Sequence, residues 1–324
     1  MPTKSYAYST GNVRAKETAL LKKQDLEQLI AQKTTEAATA FLREKGFLGD
    51  TGDVSEMLKA ETLKLWDYIK SIAPDFSVFT AFIIPNDYHN LKAVLKGTVK
   101  EIEYEYLLLE PTCVSTEVLK NAVGKKDFSL LPDYMKDAAA RAYNALVKMG
   151  DAQLSDGILD ASCMEAQLRL SEKTGIPLLK KIIGAGVFFD NFKTAIRAAR
   201  AKKDADFLEA CLLGDSVTDK NELKKAALLG VDEVLALLES KKYYDGDKAA
   251  SAYKKSPLEF ERFAENYGVK VATGAKYMVI GAEPLIGYLV ARLTEIKAVR
   301  IITNGIATAE SEDEIRGMLR ELYG

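Results

Sequence analysis

Metal-ion and nucleophilic chemistry would have to draw on a short set of residues in this chain. There are three cysteines, Cys113, Cys163 and Cys211, and one histidine, His89. The cysteines lie far apart and form neither a Cys-x-x-Cys pair nor a metal-binding spacing. A catalytic triad, like most zinc sites, needs a histidine with close partners, and a single histidine argues against both. An odd, sparse set of cysteines suits buried thiols in a reducing compartment. His89 reads as a turn residue before a helix starting at Asn90. Gly184-Ala185-Gly186 and Ile280-Gly281-Ala282-Glu283 are glycine-containing runs without the strand–turn–helix frame that cradles a phosphate. Asp215, Asp219, Asp245 and Asp247 do not follow the pattern of a calcium loop. No catalytic residue, cofactor or metal site is assigned.

What does recur is basic. Asn90–Lys96 (N-L-K-A-V-L-K), Asn191–Arg197 (N-F-K-T-A-I-R) and Glu295–Ile301 (E-I-K-A-V-R-I) resemble one another. Their aligned lysines, Lys92, Lys193 and Lys297, are 101 and 104 residues apart. Each segment is followed by a turn and a helix with an N-cap signature. These turns run through Pro111–Ser115, through Gly214-Asp215-Ser216-Val217-Thr218, and through Gly305–Thr308. The last leads into an acidic helix start at residues 310–314, which complements the helix dipole. A second echo links the helix at residues 36–47 to that at 233–244. Repeats at near-equal spacing imply three similar modules.

The elements that position these residues are helical. Residues 13–45 are rich in Ala, Leu, Glu, Lys and Gln without Gly or Pro and predict helix. Further helices are expected over residues 54–72, 133–149 with Asp133 as cap, 156–173, 219–229, 232–242, 257–267 and 283–302. Trp66 and the other aromatic stripes read as core, and Tyr6 and Tyr8 as packing residues that seat the first helix, with a partner contact as the alternative. Breaks are expected at residues 46–53, 124–132, 150–157, 184–186, 245–247 and 303–309. Glu101–Leu109 is the one good strand candidate, and a loop explains it equally well. The expectation is an all-α protein with short connections.

Composition excludes several classes. The chain has 324 residues, which suggests two or three domains, and 45 basic against 47 acidic residues give a net charge of −2. That balance argues against a nucleic-acid protein and against a dedicated anionic-lipid binder. Residues 1–14 are polar and lack the apolar core of a signal peptide. No window reaches the roughly 18 apolar residues of a membrane span. The longest apolar windows are residues 78–84 and 279–291, and the second contains Glu283 and Pro284. A soluble, cytoplasmic protein is expected, one that can still sit on a membrane complex.

The C-terminal segment from Gly281 carries the clearest resemblance, in G-A-E-P-L-I-G-Y-L-V-A-R-L-T-E-I-K-A-V-R-I-I and the closing helix around Ile315–Leu319. With Ile176–Arg197, Asn90–Lys96, Tyr6-Ala7-Tyr8 and Arg14 to Leu21, it resembles the C subunit of bacterial and archaeal V/A-type rotary ATPases, a relative of the d subunit of the eukaryotic vacuolar ATPase. One departure is that Asp190 and Asn191 are adjacent, whereas Asp87 and Asn90 are three apart.

The resemblance implies an all-α, funnel-shaped protein of three similar helical modules in pseudo-threefold arrangement. The modules would span 1–124, 125–229 and 230–324, with an N-terminal long helix contributing to the closing module. It implies a non-catalytic component of the central rotor on the cytoplasmic face of the membrane. The partners would be the central shaft, formed by the D and F subunits, and the membrane proteolipid ring, in proton or sodium ion transport, with no nucleic acid and no cofactor. Lys92, Lys193, Arg292, Lys297 and Arg300 are the candidate partner-binding residues. The plainer reading, preferred for the three lysines, is ion-paired helix residues marking a shared fold element. Arg292 and Arg300 have Glu283 and Glu295 as alternative partners, and Glu295 can pair with Lys297. A generic helical scaffold, or an all-α enzyme using carboxylates or lysines, is the alternative class.

Overall fold

The computed structural model describes residues 5–47, 53–215 and 217–324. Among these the chain is all-α, as expected, with sixteen α-helices, five short 3-10 turns and no strand. The helices gather into two compact units. The first holds residues 1–76, 176–182 and 256–324, and the second residues 77–175 and 183–255.

The first unit contains α1 (Tyr6–Glu17), α2 (Lys23–Ile30), α3 (Thr35–Glu44), α4 (Val54–Ile72), α14 (Pro257–Ala272), α15 (Glu283–Ala307) and α16 (Glu312–Met318). α15 is its axis and packs against all six others. A helix enclosed on all sides should be apolar around its circumference rather than striped. α15 follows that rule: Leu285, Ile286, Leu289, Val299 and Ile302 point in different directions and are all fully buried. Each contributes on the order of 2 kcal/mol by leaving water. Pro284 sits in the first turn, where its missing N–H costs nothing, and Glu283 faces the positive end of the dipole.

The second unit contains α5 (Thr80–Lys100), α6 (Thr116–Lys125), α7 (Lys136–Lys148), α8 (Ala152–Thr174), residues 183–200 of α9 (Pro177–Arg200), α10 (Ala205–Cys211), α11 (Lys220–Leu229), α12 (Val231–Ser240) and α13 (Gly246–Lys255). Ala138, Ala142 and Ala145 form a stripe of small buried side chains at helical spacing on α7, which lets it lie close against α8. Tyr88 is fully buried in this core, and its phenol reaches the Tyr134 carbonyl at 2.7 Å and the Ser162 hydroxyl at 2.8 Å. Pro85 lies inside α5 and has no N–H for the carbonyl four residues back. That carbonyl, of Ala81, accepts instead from Gln167 Nε2 of α8 at 3.0 Å. The bond lost within α5 thus becomes a tie to α8.

Several expectations are corrected. Residues 13–45 form parts of three helices, α1 to α3, and no single long N-terminal helix. Residues 101–109 carry a 3-10 turn, Glu105–Leu107, and no strand. Gly184 and Gly186 lie inside α9 rather than at a break. His89 is within α5 rather than before it. Asp133 does not cap α7; its carboxylate pairs with Lys136 at 2.8 Å. α15 runs on to Ala307, and the cap of the helix that follows is Ser311, in a reciprocal arrangement with Glu314, rather than Thr308. Cys163 and Cys211 are buried but Cys113 is exposed. Residues 48–52 of one expected break, and Ser216 of the second repeat turn, lie outside the described residues.

Candidate interaction site

In the first two of the segments that the lysines mark, the residue two positions earlier is the structural anchor. Asn90 and Asn191 are fully buried. Asn90 donates from Nδ2 to the Leu109 carbonyl at 2.9 Å and accepts from the Leu109 N–H at 2.8 Å. Asn191 does the same to Leu213, with the N–H at 3.0 Å. A side-chain amide matches a backbone amide group for group, so each asparagine anchors one leucine of the following loop without burying a charge. The corresponding residue of the third segment is Glu295, also buried. The signal for this is present in the aligned segments, but the lysines draw the eye away from it.

A second anchor accompanies the first. Asp87 Oδ1 accepts from the N–H groups of Cys113 and Val114, at 2.9 and 3.1 Å, the two residues before the Ser115 cap of α6. Asp215 Oδ1 accepts from Val217 and Thr218, both at 2.7 Å, the two residues before the Asp219 cap of α11. The counterpart of Asp87 in function is therefore Asp215, not the Asp190 suggested by sequence adjacency. Asp190 pairs instead with Lys193 at 2.7 Å. Burial pushes the carboxyls of Asp87 and Asp215 up, that of Asp87 to about 6, against the backbone donors that pull them down. Asn86 and His89 add bonds from α5 to the carbonyls of Pro111 and Leu107, both 2.9 Å, so one face of α5 holds the loop at residues 107–114.

The expected partner-binding residues fall in different settings. Lys92 and Lys193 line one cleft of about 400 Å³ in the second unit, with Asp160, Asp190 and Arg197. Lys92 is ion-paired with Asp160 of α8. Lys297 pairs with Glu265 of α14, which also receives Arg320 Nε at 3.1 Å. Burial alone would lift the Glu265 carboxyl, but Arg320 and Lys297 together hold it below the usual range. Glu295 therefore does not pair with Lys297. Arg292 binds both Glu61 of α4, at 2.9 Å, and Glu295, at 2.6 Å, and lies over the Phe47 ring at 5.3 Å. Arg300 is exposed, and its side chain has no ion pair or hydrogen bond among the described residues. Of the five, it alone offers an unspent charge.

One surface feature overlaps only the edge of the apolar window at residues 279–291. Tyr277, Met278, Val279 and Ile280 are four consecutive apolar residues, and Tyr277 is 85% and Val279 80% exposed. The backbone leading into the run, and Met278 within it, is held from α1. Arg14 Nη2 donates to the carbonyls of Ala275, Lys276 and Met278 at 2.7, 3.2 and 2.9 Å, while Nη1 bonds Glu17 at 2.7 Å. An exposed apolar run on a fixed backbone is an arrangement suited to contact rather than to chemistry. Among the described residues no cluster of three or more His, Cys, Asp or Glu is placed to hold a metal ion, and no helix is long and apolar enough to cross a membrane. Burial pushes the thiols of Cys163 and Cys211 up to about 12, and desolvation of the sulfur together with the neighbouring Asp87 carboxylate does the same for Cys113, although that residue is exposed as a whole.

Comparison with known proteins agrees with the resemblance. The C subunit of the V-type sodium ATPase of Enterococcus hirae is 23% identical, covering 96% of this chain and 97% of its own. The C subunit of the A-type ATP synthase of Methanocaldococcus jannaschii is 22% identical over 98% of this chain and 86% of its own. That of Methanobrevibacter smithii is 24% identical over 92% and 83%. The model of the ATP synthase (C/AC39) subunit family matches residues 9–318. With all-helical architecture and a family match over nearly its whole length, the chain belongs to the ATP synthase (C/AC39) subunit family.

Proposed function

We propose that this chain is a non-catalytic component of the central rotor of a V/A-type ATPase, on the cytoplasmic face of the membrane. In that role it is the socket between the central shaft, formed by the D and F subunits, and the membrane proteolipid ring, and it passes torque during proton or sodium ion transport. The observation that carries the reading is the family match over residues 9–318. The matching leucine anchors of Asn90 and Asn191, with a buried residue at the aligned position Glu295, support a reading as three similar modules, at 1–124, 125–229 and 230–324, arranged as a pseudo-threefold funnel. Tightly packed short helices with satisfied buried amides make a stiff body, and stiffness is what torque transfer demands. The exposed run Tyr277–Ile280 and the unpaired Arg300 are the features best suited to partner contact. Of the ion-paired residues, Arg292 joins α15 to α4 and Lys297 joins α15 to α14 in the unit that carries these surfaces, while Lys92 ties α5 to α8 and Lys193 pairs within α9.

The test is co-expression with the D–F pair and, separately, with the detergent-solubilised ring of the same genome, read by size exclusion and native mass spectrometry. A one-to-one-to-one complex with the shaft pair is expected. A variant carrying Tyr277→Ser, Val279→Ser and Ile280→Ser, or Arg300→Glu, should keep the helical spectrum and weaken at least one of the two associations. No association of the wild-type chain with shaft or ring at micromolar concentration would refute the proposal and leave a generic helical scaffold.

A further inference from the structure

The three aligned positions Asn90, Asn191 and Glu295 differ in one respect that matters physically. At Asn90 and Asn191 the buried group is a neutral amide with both of its polar atoms bonded to a leucine backbone. At Glu295 it is a carboxylate, and its Oε2 is buried without a hydrogen-bond partner among the described residues. Its Oε1 takes Arg292, which must also serve Glu61, another buried carboxylate. The cluster therefore places two buried carboxylates on one guanidinium. Glu61 also pairs with Lys64 at 3.3 Å, a side chain that is itself half exposed.

The elements joined here come from opposite ends of the chain. Glu61 lies on α4, and Arg292 and Glu295 lie on α15, whose other neighbours include α1, α2 and α3. The charged and titratable groups around the adjoining cleft are Lys16 of α1, Lys45 beyond α3, Glu61, Lys64 and Tyr68 of α4, and Tyr288 and Arg292 of α15. None is positioned as a second full partner for Glu295. Lys45 is engaged by Asp25 at 2.6 Å, and Lys16 lies over the Tyr68 ring at 5.8 Å. A buried carboxylate that shares its counter-ion is retained at a desolvation cost that a neutral amide in the same place avoids. Burial accordingly raises the Glu295 carboxyl, against the pull of Arg292 and of the Leu21 N–H.

We infer that Glu295 makes the packing of α1–α4 on α15 a releasable clasp. It is a weakened seam at which the N-terminal helices open from the C-terminal axis while the helices of the second unit stay folded. Where Asn90 and Asn191 each fasten a loop with two hydrogen bonds, the third position is set to let go. Such a clasp gives the chain a way to admit or release a partner without global unfolding.

Amide hydrogen exchange on the full chain at neutral pH tests this, followed peptide by peptide in wild type and Glu295→Gln. The glutamine keeps the shape and the bond to Arg292 but removes the shared charge, restoring the neutral-amide chemistry of the other two sites. Exchange in α1 and α4 should slow by about tenfold, which corresponds to about 1.4 kcal/mol, while α6, α7 and α8 exchange as in wild type. Arg292→Met should act in the opposite direction and speed exchange in α1 and α4. If that variant does not fold, the glutamine comparison still decides. Exchange in α1 and α4 that is unchanged or faster in Glu295→Gln would overturn the clasp. Slowing that extends equally to α6, α7 and α8 would overturn it too, because the effect would then be global.

Discussion

Asp87 offers a measurement in which the sign and size of the effect both come from the structure. Its side chain is fully buried, Oδ1 takes two backbone N–H groups, and Oδ2 has no hydrogen-bond partner among the described residues. Burial raises the carboxyl from 3.8 to about 6. The folded protein therefore binds a proton more tightly than the unfolded chain does. Stability from this group is complete below the unfolded value and is lost as pH rises through the folded one. The difference is about two pKa units, so the loss between roughly pH 4 and pH 7 is on the order of 3 kcal/mol. Asp87→Asn retains an acceptor for Cys113 and Val114 and cannot titrate. Urea unfolding of both proteins at intervals from about pH 4 to pH 7.5 gives two stability curves, and their difference cancels every other titrating group. That difference should shift by about 2–3 kcal/mol in favour of the asparagine variant as pH rises, with the midpoint of the shift at about pH 5. A difference that stays flat, or shifts in favour of wild type, would refute the reasoning, since it would mean that the backbone donors outweigh burial.

Two further substitutions test the architecture. Asn191→Ala removes both bonds to Leu213 and should cost about 2–3 kcal/mol in urea unfolding, with Asn90→Ala costing a similar amount; a loss under about 0.5 kcal/mol at either would deny the anchors their role. Gly246→Ala should destabilise by about 2 kcal/mol or more, because the added Cβ would stand 2.2 Å from the Leu238 carbonyl oxygen and 2.5 Å from that of Lys241, and backbone cannot step aside as a side chain can; a thermal midpoint unchanged from wild type would contradict that packing.

Helix content is legible in the sequence wherever apolar spacing is clean and the ends are punctuated. The expected helix at residues 54–72 matches α4, whose stripe includes Leu58, Leu65, Ile69 and Ile72 and whose start is capped by Asp53. The differences elsewhere have specific causes. Residues 13–45 change helix twice without glycine or proline, so composition alone conceals the breaks. Gly184 has the look of a breaker, yet α9 runs through it. A Cβ there would lie 2.6 Å from the Tyr244 hydroxyl, so the glycine serves close approach of an aromatic cluster that includes Phe188 and Phe189. The lysine repeat is visible because charge stands out in an alignment. The buried residues two positions earlier stay hidden because Asn and Glu look ordinary until their partners, 19 and 22 residues downstream for the two asparagines, are known. Pairings such as Arg292 with Glu61, 231 residues apart, have no local signature at all. In the sequence, the exposed run at Tyr277–Ile280 is only the edge of an apolar window, since burial cannot be told from composition.

The asparagine anchors also bear on how this chain tolerates change. Asn90 holds a leucine 19 residues on, and Asn191 one 22 residues on, so the intervening stretch differs in length by three. Beyond each leucine the register is the same: Ser115 and Asp219, the helix caps, each follow by six positions. The extra residues are absorbed between two fixed points, and in the second case the stretch even accommodates α10. Insertions and deletions between anchor and leucine should therefore accumulate freely over evolutionary time, while the six-residue spacing to the cap resists them. A chain so arranged can diverge far in sequence and length within its loops and still deliver each following helix to the same place.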